Sequence, residues 1–284
     1  METPEENAYV LDAESAAEMA RLMRQDVLLT RGMGGAFPEQ GEVDLADIQR
    51  VLDLACGPGG WPLEVAYTYS DMEVVGVDIS ARMIAYARAQ ANAQQRTNVR
   101  FEIMNILQPL AFAEDSFDLV NARLVNGFVK KEMWPVLLRE ALRVLRPGGM
   151  LRLTEAEASM SNKPSFEKAF CALMQVLARA GMSFSPSGNY HGLIQMLPSL
   201  LRQAGVSLIR TRAHFLEFSY GTEAHESFCF DFQSAFSQIT PMIEKLGIMD
   251  TDEWLTLSSR ALAEMLQEDF CGAWTLLTAW GYRS

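Results

Sequence analysis

The sequence contains few cysteines and histidines, and it has no long apolar run. The cysteines Cys56, Cys171, Cys229 and Cys271 lie far apart, without C-x-x-C spacing or histidines placed as metal ligands, so we expect buried thiols and no metal site. No uncharged apolar run reaches the roughly 18 residues that a membrane-spanning helix needs, and the acidic N-terminus lacks the apolar stretch of a signal peptide. We therefore predict a soluble, cytoplasmic protein without a membrane partner.

Basic residues are scarce relative to acidic ones. The chain carries 24 lysines and arginines against 36 aspartates and glutamates, which gives a formal net charge of -12. Such a charge repels a phosphate backbone, and no basic cluster offsets it, so we predict that nucleic acid is not a partner. The 284 residues, 49% of them hydrophobic, are enough for one α/β domain with insertions.

A short apolar run ends in a glycine-rich turn at residues 51–60, which read V-L-D-L-A-C-G-P-G-G. The apolar start is typical of a buried strand, and the residues after it indicate a tight loop that opens a helix. Gly57 and Gly59 allow backbone to approach a ligand closely, because neither carries a Cβ. Residues 73–78 predict a second strand that ends in Asp78, where an acid in a βαβ nucleotide site can bind both ribose hydroxyls.

The turn discriminates between two families of nucleotide site. The dinucleotide fingerprint G-x-G-x-x-G requires glycine three residues after Gly59, and that position is Pro62. A nicotinamide-dependent oxidoreductase is therefore disfavoured. A purely structural turn between strand and helix would explain the glycines, but it leaves the acids Asp53 and Asp78 unexplained.

The remaining pattern resembles the S-adenosylmethionine-dependent methyltransferases with the Rossmann-like, class I fold. In that family an acid at the end of the first strand, here Asp53, helps to hold the methionine ammonium, and the second acid binds the ribose. Ala55 stands where the family usually has glycine, which slightly alters the backbone contact there. The string L-R-V-L-R-P-G-G at residues 142–149 extends the resemblance over residues 49–156.

The resemblance also implies the remaining cofactor contacts. Asn105, after a predicted third strand at 99–104, would accept a hydrogen bond from the adenine amino group, although an Asx turn explains this residue equally well. A fourth strand at 116–123 borders the methionine part of the cofactor. The expected cofactor-binding residues are Tyr9, Asp53, Ala55, Gly57, Gly59, Asp78, Ile79, Asn105, Ile106 and Asn121.

The fold that the resemblance implies is an α/β, Rossmann-like seven-stranded sheet, mostly parallel with an antiparallel last strand, and with helices on both faces. Residues 1–48 would be an N-terminal helix and a loop that cover the cofactor or merely pack against the sheet. Residues 49–284 would be the methyltransferase domain, with helical insertions at about 157–192 and 219–270 forming a cap above the carboxyl ends of the strands. Within this scheme we predict helices at 12–29, 166–180, 193–204, 223–246 and 252–267, strands at 150–155, 207–218 and 273–280, and an irregular loop at 30–38.

The chemistry of a sulfonium methyl group limits what the protein must supply. The methyl is already activated, so transfer needs a nucleophile held in line and shielded from water, and a base only where the acceptor must lose a proton. His191 is the favoured candidate base, because its loop leads into a helix near the expected pocket. The aromatic run from Phe215 to Phe236 predicts core packing or, alternatively, an apolar wall for the acceptor. The other candidates above the sheet are Glu155, Glu157, Tyr190, His225 and Asp231.

These observations predict an enzyme that transfers a methyl group from S-adenosylmethionine to oxygen, nitrogen or carbon of a small, largely apolar molecule. The alternative is a protein of the same fold that binds this cofactor and catalyses a non-methylating cyclisation or rearrangement. The sequence leaves the acceptor atom, the use of a general base and the oligomeric state open.

Overall fold

Seven strands form one sheet in the computed structural model, which describes residues 16–284. The strands are β1 (Arg50–Leu54), β2 (Glu73–Asp78), β3 (Val99–Ile103), β4 (Phe117–Arg123), β5 (Leu145–Ser161), β6 (Val206–Glu217) and β7 (Gly272–Arg283). Their order is β3-β2-β1-β4-β5-β7-β6. Strands β1 to β5 run parallel, and β7 lies antiparallel between β5 and β6. The predicted fold class is therefore confirmed.

The sheet carries helices on both faces and a helical cap at one end. The helices are α1 (Ala16–Met33), α2 (Gly60–Thr68), α3 (Ala81–Ala93), α4 (Trp134–Val144), α5 (Pro164–Arg179), α6 (Leu197–Gln203), α7 (His225–Lys245) and α8 (Thr251–Met265). Ser80 caps the N-terminus of α3, because its hydroxyl accepts a hydrogen bond from the Met83 N–H at 3.2 Å.

Apolar residues of the central strands point alternately to the two faces. Val51 packs in a cluster with α2 and α3, whereas Leu52 packs in a second cluster with α4 and α6. A third apolar cluster joins α5, α7 and α8 and contains much of the aromatic run. The cap thus has a core of its own, which stands beside the carboxyl ends of the parallel strands.

Several predicted boundaries differ from the structure, among them those of α1, β5 and α6. Helix α1 runs to Met33, because Leu29 and Met33 in its last turns pack on Leu216 of β6, so the predicted irregular loop starts later than residue 30. Strand β5 continues to Ser161 by pairing with β7, and the first insertion therefore begins after residue 161 and not at 157. Helix α6 begins at Leu197 with a proline in its first turn, after a turn over residues 194–196 for which the sequence predicts helix.

No helix within residues 16–284 is long and apolar enough to cross a membrane. The cytoplasmic location stays a prediction.

Gly59, at the start of α2, determines how closely the two helices on that face approach the sheet. Its φ is +83°, and a Cβ at this position would lie 2.7 Å from a ring carbon of Phe101 and 2.8 Å from the Cβ of Ala87. We therefore expect Gly59→Ala to lower the free energy of unfolding by about 2 to 4 kcal/mol, because backbone strain and overpacking add.

Gly205→Ala is the matched control for this prediction. Gly205 also has a positive φ, +94°, but a Cβ there would have no neighbouring atom within 4 Å, so only the backbone cost of about 1 kcal/mol is expected. Urea denaturation of both variants measures the difference. Equal losses of stability would contradict the packing role of Gly59.

Candidate active site

A cavity of about 340 Å³ lies where the carboxyl ends of β1, β2 and β4 face α1 and the cap. One side of the cavity is formed by the glycine-rich turn and the ends of the strands, and the opposite side is formed by apolar cap residues. The strand side includes Asp53, Ala55, Cys56, Gly57, Asp78, Ile79, Met104, Asn105 and Ile106. The cap side includes Phe170, Leu173, Met174, Leu177, His191, Phe228, Phe232 and Ile239, with Trp274 of β7 packed on Phe228.

The glycine-rich turn presents open backbone to this cavity. Gly57 has φ +53°, and a Cβ there would have only Leu22 of α1 as a neighbour, at 4.0 Å. The Gly57 N–H donates to Asp78 Oδ2 at 2.9 Å, and the Ser80 N–H donates to Asp78 Oδ1 at 2.9 Å. The carboxylate at the end of β2 is therefore held against the turn at the rim of the cavity.

Most of the residues predicted to bind the cofactor line this one cavity. They are Asp53, Ala55, Gly57, Asp78, Ile79, Asn105 and Ile106. Asn105 also forms the Asx turn considered above, because its Oδ1 accepts a hydrogen bond from the Leu107 N–H at 2.9 Å. Gly59 and Asn121 are not among the lining residues: Gly59 packs beneath α3, and Asn121 is fully buried behind Asp53. Tyr9 lies outside the described residues.

Asp53 is the end of a buried chain of polar side chains that crosses the sheet. The Asn121 Nδ2 donates to Asp53 Oδ1 at 2.6 Å, and the Arg152 Nη1 donates to Asn121 Oδ1 at 2.7 Å. Arg152 also pairs with Glu39, from the segment between α1 and β1. Glu39, Arg152 and Asn121 have no exposed surface, and Asp53 is only 4% exposed. This arrangement fixes the side chain of Asp53 from behind.

Burial dominates the electrostatics of Asp53. Desolvation raises the pKa of its carboxyl group to about 7, although Arg123 and the hydrogen bond from Asn121 oppose this shift. Arg123 stands at the end of β4 and pairs with Asp26 of α1, whose negative charge raises the pKa of Asp53 further. The site therefore contains an acid that is poorly solvated and needs a cationic partner when it is ionised.

Helix α1 closes the cavity on one side. The sequence predicts a helix here that covers the cofactor or packs against the sheet, but it names none of the residues of α1 as contacts. Arg21, Leu22, Gln25 and Asp26 line the cavity. Arg21 is buried and pairs with Glu18 and with Asp231 of α7, at 2.6 Å in each pair. The amphipathic pattern of the sequence indicates a packed face on α1, but a pattern alone does not show which partner the face meets.

Most of the candidate bases lie outside the cavity lining. Glu155 is buried and accepts hydrogen bonds from the Val125 and Asn126 N–H groups at 3.0 and 3.1 Å, and burial raises its pKa to about 8. Glu157 accepts hydrogen bonds from the backbone of the 191–192 turn. His225 contacts the Met265 carbonyl at 2.9 Å, and Tyr190 is 37% exposed. Only His191 and Asp231, of the candidates named above, line the cavity.

His191 is buried and lines the cavity. Its backbone N–H donates to Glu157 Oε1 at 2.7 Å, which fixes the loop, and burial lowers the pKa of its imidazole to about 4. The imidazole is therefore neutral at pH 7. Its buried Nδ1 has no hydrogen-bond partner among the described residues.

The aromatic run divides between core and cavity wall. Phe218 and Phe236 are buried in the cap core, and Phe228 and Phe232 belong to that core and also line the cavity. Phe215 and Tyr220 are exposed, 64% and 46% respectively, because both lie at the outer edge of the sheet or just beyond it. Members of the run thus contribute both to the core and to the cavity wall, and binding of an acceptor against that wall stays a prediction.

Comparisons with known proteins agree with this architecture. Residues 51–149 match a family model described as a methyltransferase domain. "Methyltransferase str2" of Strobilurus tenacellus is 28% identical over 189 residues, which cover 63% of this chain and 62% of the relative. The demethylmenaquinone methyltransferase of Lactococcus lactis subsp. lactis is 28% identical over 58% of this chain and 68% of its own length.

Two solved structures share the fold. Phosphoethanolamine N-methyltransferase 2 of Haemonchus contortus, in complex with phosphomonomethylethanolamine and S-adenosylhomocysteine, has 19% identity and a TM-score of 0.50 over 92% of this chain and 52% of that chain. The [4+2]-cyclase SpnF has 19% identity and a TM-score of 0.51 over 96% and 97%. The chain is therefore similar to the S-adenosylmethionine-dependent methyltransferases in a domain model over residues 51–149 and shares the class I, Rossmann-like fold, in agreement with the resemblance found in the sequence.

The buried acid predicts an unusual dependence of stability on pH. The folded pKa of Asp53, about 7, lies above the ordinary value of 3.8, so its contribution to stability is present at low pH and is lost as the pH rises towards 7. We expect Asp53→Asn to be more stable than the wild type at pH 8 by about 2 to 4 kcal/mol, and to lose this advantage at pH 4.

Asp118→Asn should behave in the opposite way. Desolvation acts to raise the pKa of Asp118, but Arg146 and two backbone N–H groups stabilise the ionised form more strongly, and the pKa is lowered. Removing that charge should reduce stability at pH 8. Urea titrations of both variants at the two pH values test the assignment, and a loss of stability in Asp53→Asn at pH 8 would contradict it.

Proposed function

We propose that the protein transfers a methyl group from S-adenosylmethionine to a small, largely apolar molecule. The observation that carries this proposal is the continuity of one cavity, which joins the acid-and-glycine turn of β1 and β2 to the apolar chamber of the cap. A cofactor at the turn and an acceptor in the chamber would then share a common space.

The residues at the turn fit the cofactor. Gly57 offers backbone without a side chain, and the carboxylates of Asp53 and Asp78 face the same cavity from two adjacent strands. Asp53 would hold the methionine ammonium, Asp78 would accept hydrogen bonds from the ribose hydroxyls, and Asn105 with Ile106 would border the adenine. When bound, the cofactor supplies an activated methyl group on a sulfonium.

The chain's own contribution is to orient the acceptor and to exclude water. Helix α1 covers the turn through Leu22 and Asp26, and the cap covers the chamber with Phe170, Phe228 and Phe232. A water-poor chamber favours attack by the acceptor over hydrolysis. The imidazole of His191 is neutral, so one of its ring nitrogens carries no proton. That nitrogen can accept a proton from the molecule that receives the methyl group.

The apolar side of the cavity supports the class of acceptor. Apart from His191 and from Asp231, which pairs with Arg21, the cap residues that we named along the cavity wall are apolar, and such walls bind ligands with little charge. Phosphoethanolamine and demethylmenaquinone in the names of the relatives both indicate small-molecule acceptors for those proteins. The atom of the acceptor that receives the methyl group can be oxygen, nitrogen or carbon.

Product analysis separates methyl transfer from a non-methylating cyclisation or rearrangement. In the first reaction S-adenosylhomocysteine accumulates in equal amount with a methylated product. In the second the cofactor is recovered unchanged while the substrate is converted. A screen of small apolar molecules with methyl-labelled cofactor, followed by mass spectrometry, supports the proposal if label appears in a small molecule. Labelling confined to RNA, DNA or protein would overturn it.

Asp78→Ala tests the placement of the cofactor. We expect this variant to bind S-adenosylmethionine more weakly by about 1 to 3 kcal/mol, because two ribose hydroxyls lose a charged acceptor. The variant should remain folded, since Asp78 is at a strand end and only partly buried. Calorimetric titration gives the Kd, and an unchanged Kd in a variant with the wild-type melting temperature would remove Asp78 from the site.

Phe232→Leu and His191→Ala test the acceptor chamber with the acceptor that the screen identifies. Both residues line the cavity on its cap side, so we expect the acceptor KM or kcat to change about tenfold while the Kd for the cofactor stays within about twofold. A loss of rate in His191→Ala that is recovered at high pH indicates a general base, whereas a raised KM alone indicates binding. Turnover unchanged in both variants would contradict this chamber.

A further inference from the structure

The polar chain behind Asp53 has a fixed direction. A guanidinium carries donors only, so the Asn121 oxygen faces Arg152 and the Asn121 amide nitrogen faces Asp53. The amide therefore presents N–H to Asp53 and makes an acceptor of the carboxylate. An asparagine without Arg152 could rotate its amide group and lose this preference.

The other end of the chain is anchored in the segment between α1 and β1. Glu39 contacts Arg152 through both carboxylate oxygens, and neither side chain has exposed surface. Arg212 of β6 holds the same segment through the Pro38 carbonyl and Glu42. Glu39 is thus connected to the carboxylate of Asp53 through Arg152 and Asn121.

Few charged groups lie around Asp53. Arg123 faces it from β4, Asp26 from α1 and Arg152 from β5. Asp78 faces the same cavity from β2, and its carboxylate accepts hydrogen bonds from the Gly57 and Ser80 N–H groups. Cys56 in the turn is a thiol whose pKa is raised well above its usual value by burial, so it is neutral. Glu39 offsets Arg152, and His214 beside Arg152 is neutral because burial lowers its pKa to about 4. Removal of either Glu39 or Arg152 therefore changes the net charge behind Asp53.

We infer that Glu39 and Arg152 are positioning residues for cofactor binding, which through Asn121 hold Asp53 as an ammonium acceptor and determine the pH range in which the cofactor binds. This inference rests on the proposed function. The geometry carries it, because every link is a buried hydrogen bond or ion pair. The pKa of Asp53, about 7, places the expected transition near neutral pH.

The expected pH dependence follows from linkage. The ammonium of the cofactor binds ionised Asp53, so binding lowers the pKa of Asp53 and affinity is complete above its free value. As the pH falls below about 7, the Kd should rise by about tenfold per pH unit. S-Adenosylhomocysteine is the probe, since it keeps the ammonium, and 5′-methylthioadenosine is the control probe, since it lacks the amino-acid part.

Two variants should move this midpoint in opposite directions. Glu39→Gln leaves the positive charge of Arg152 without its partner, which stabilises ionised Asp53 and lowers the midpoint. The double variant Glu39→Leu/Arg152→Leu leaves the net charge behind Asp53 unchanged but frees Asn121, and loss of the fixed N–H donor to Asp53 raises the midpoint. The double variant also guards against misfolding, because replacing a whole buried ion pair by apolar residues is often tolerated.

Arg146→Met provides the matched control, because it removes an arginine ion pair at the opposite end of β5. Its midpoint should equal that of the wild type. Calorimetric Kd values for S-adenosylhomocysteine between about pH 5.5 and 8.5 give the midpoint of each variant. This range extends about 1.5 pH units on each side of the expected midpoint. Folded variants with an unmoved midpoint, or with equal weakening at every pH, overturn the inference. A wild type that binds the probe at no pH overturns the proposed function instead.

Discussion

A guanidinium without exposed surface lies in the middle of the sheet, and the organisation of the site depends on satisfying it. Arg152 occupies a central strand, where an unpaired charge would be very costly, and it meets Glu39 and Asn121. Breaking such a pair by removing one partner costs about 3 to 5 kcal/mol in other proteins. The N-terminal segment is therefore bound to the sheet by a charge that also orients the residue behind Asp53.

This constraint explains why part of the site could be predicted and part could not. The strand, turn and helix around Gly57 are local, so residue types at fixed spacing predicted the turn and Asp78, and the resemblance to the methyltransferases added Asp53. Glu39 and Arg152 are 113 positions apart, and nothing in a single sequence pairs them. A lone arginine between apolar residues in a buried strand was the available signal. Boundaries failed for the same reason: β5 runs past residue 155 because β7 pairs with it.

The same aromatic side chains of the cap form part of its core and part of the cavity wall. Phe228 and Phe232 pack with Phe218 in the aromatic core, yet they also face the cavity. Because core rings are held by neighbours on several sides, the chamber wall has a defined shape before any ligand enters. The sequence predicted the aromatic cluster but could not divide it into core and wall, since that division depends on the fold of α5 and α7 around it.

Asp53 couples the stability of the folded chain to ligand binding at the cavity. Burial makes its ionised form unfavourable in the folded chain, so the protein sacrifices stability at neutral pH to keep an acid there. An ammonium group from a ligand would remove that penalty and so bind strongly at this position. Because Asn121 already points its N–H at the carboxylate, little reorganisation is needed when the charge is neutralised. Arg152 is costly to bury in β5, but through Asn121 it orients the carboxylate of Asp53 at the end of β1, where an ammonium group would bind.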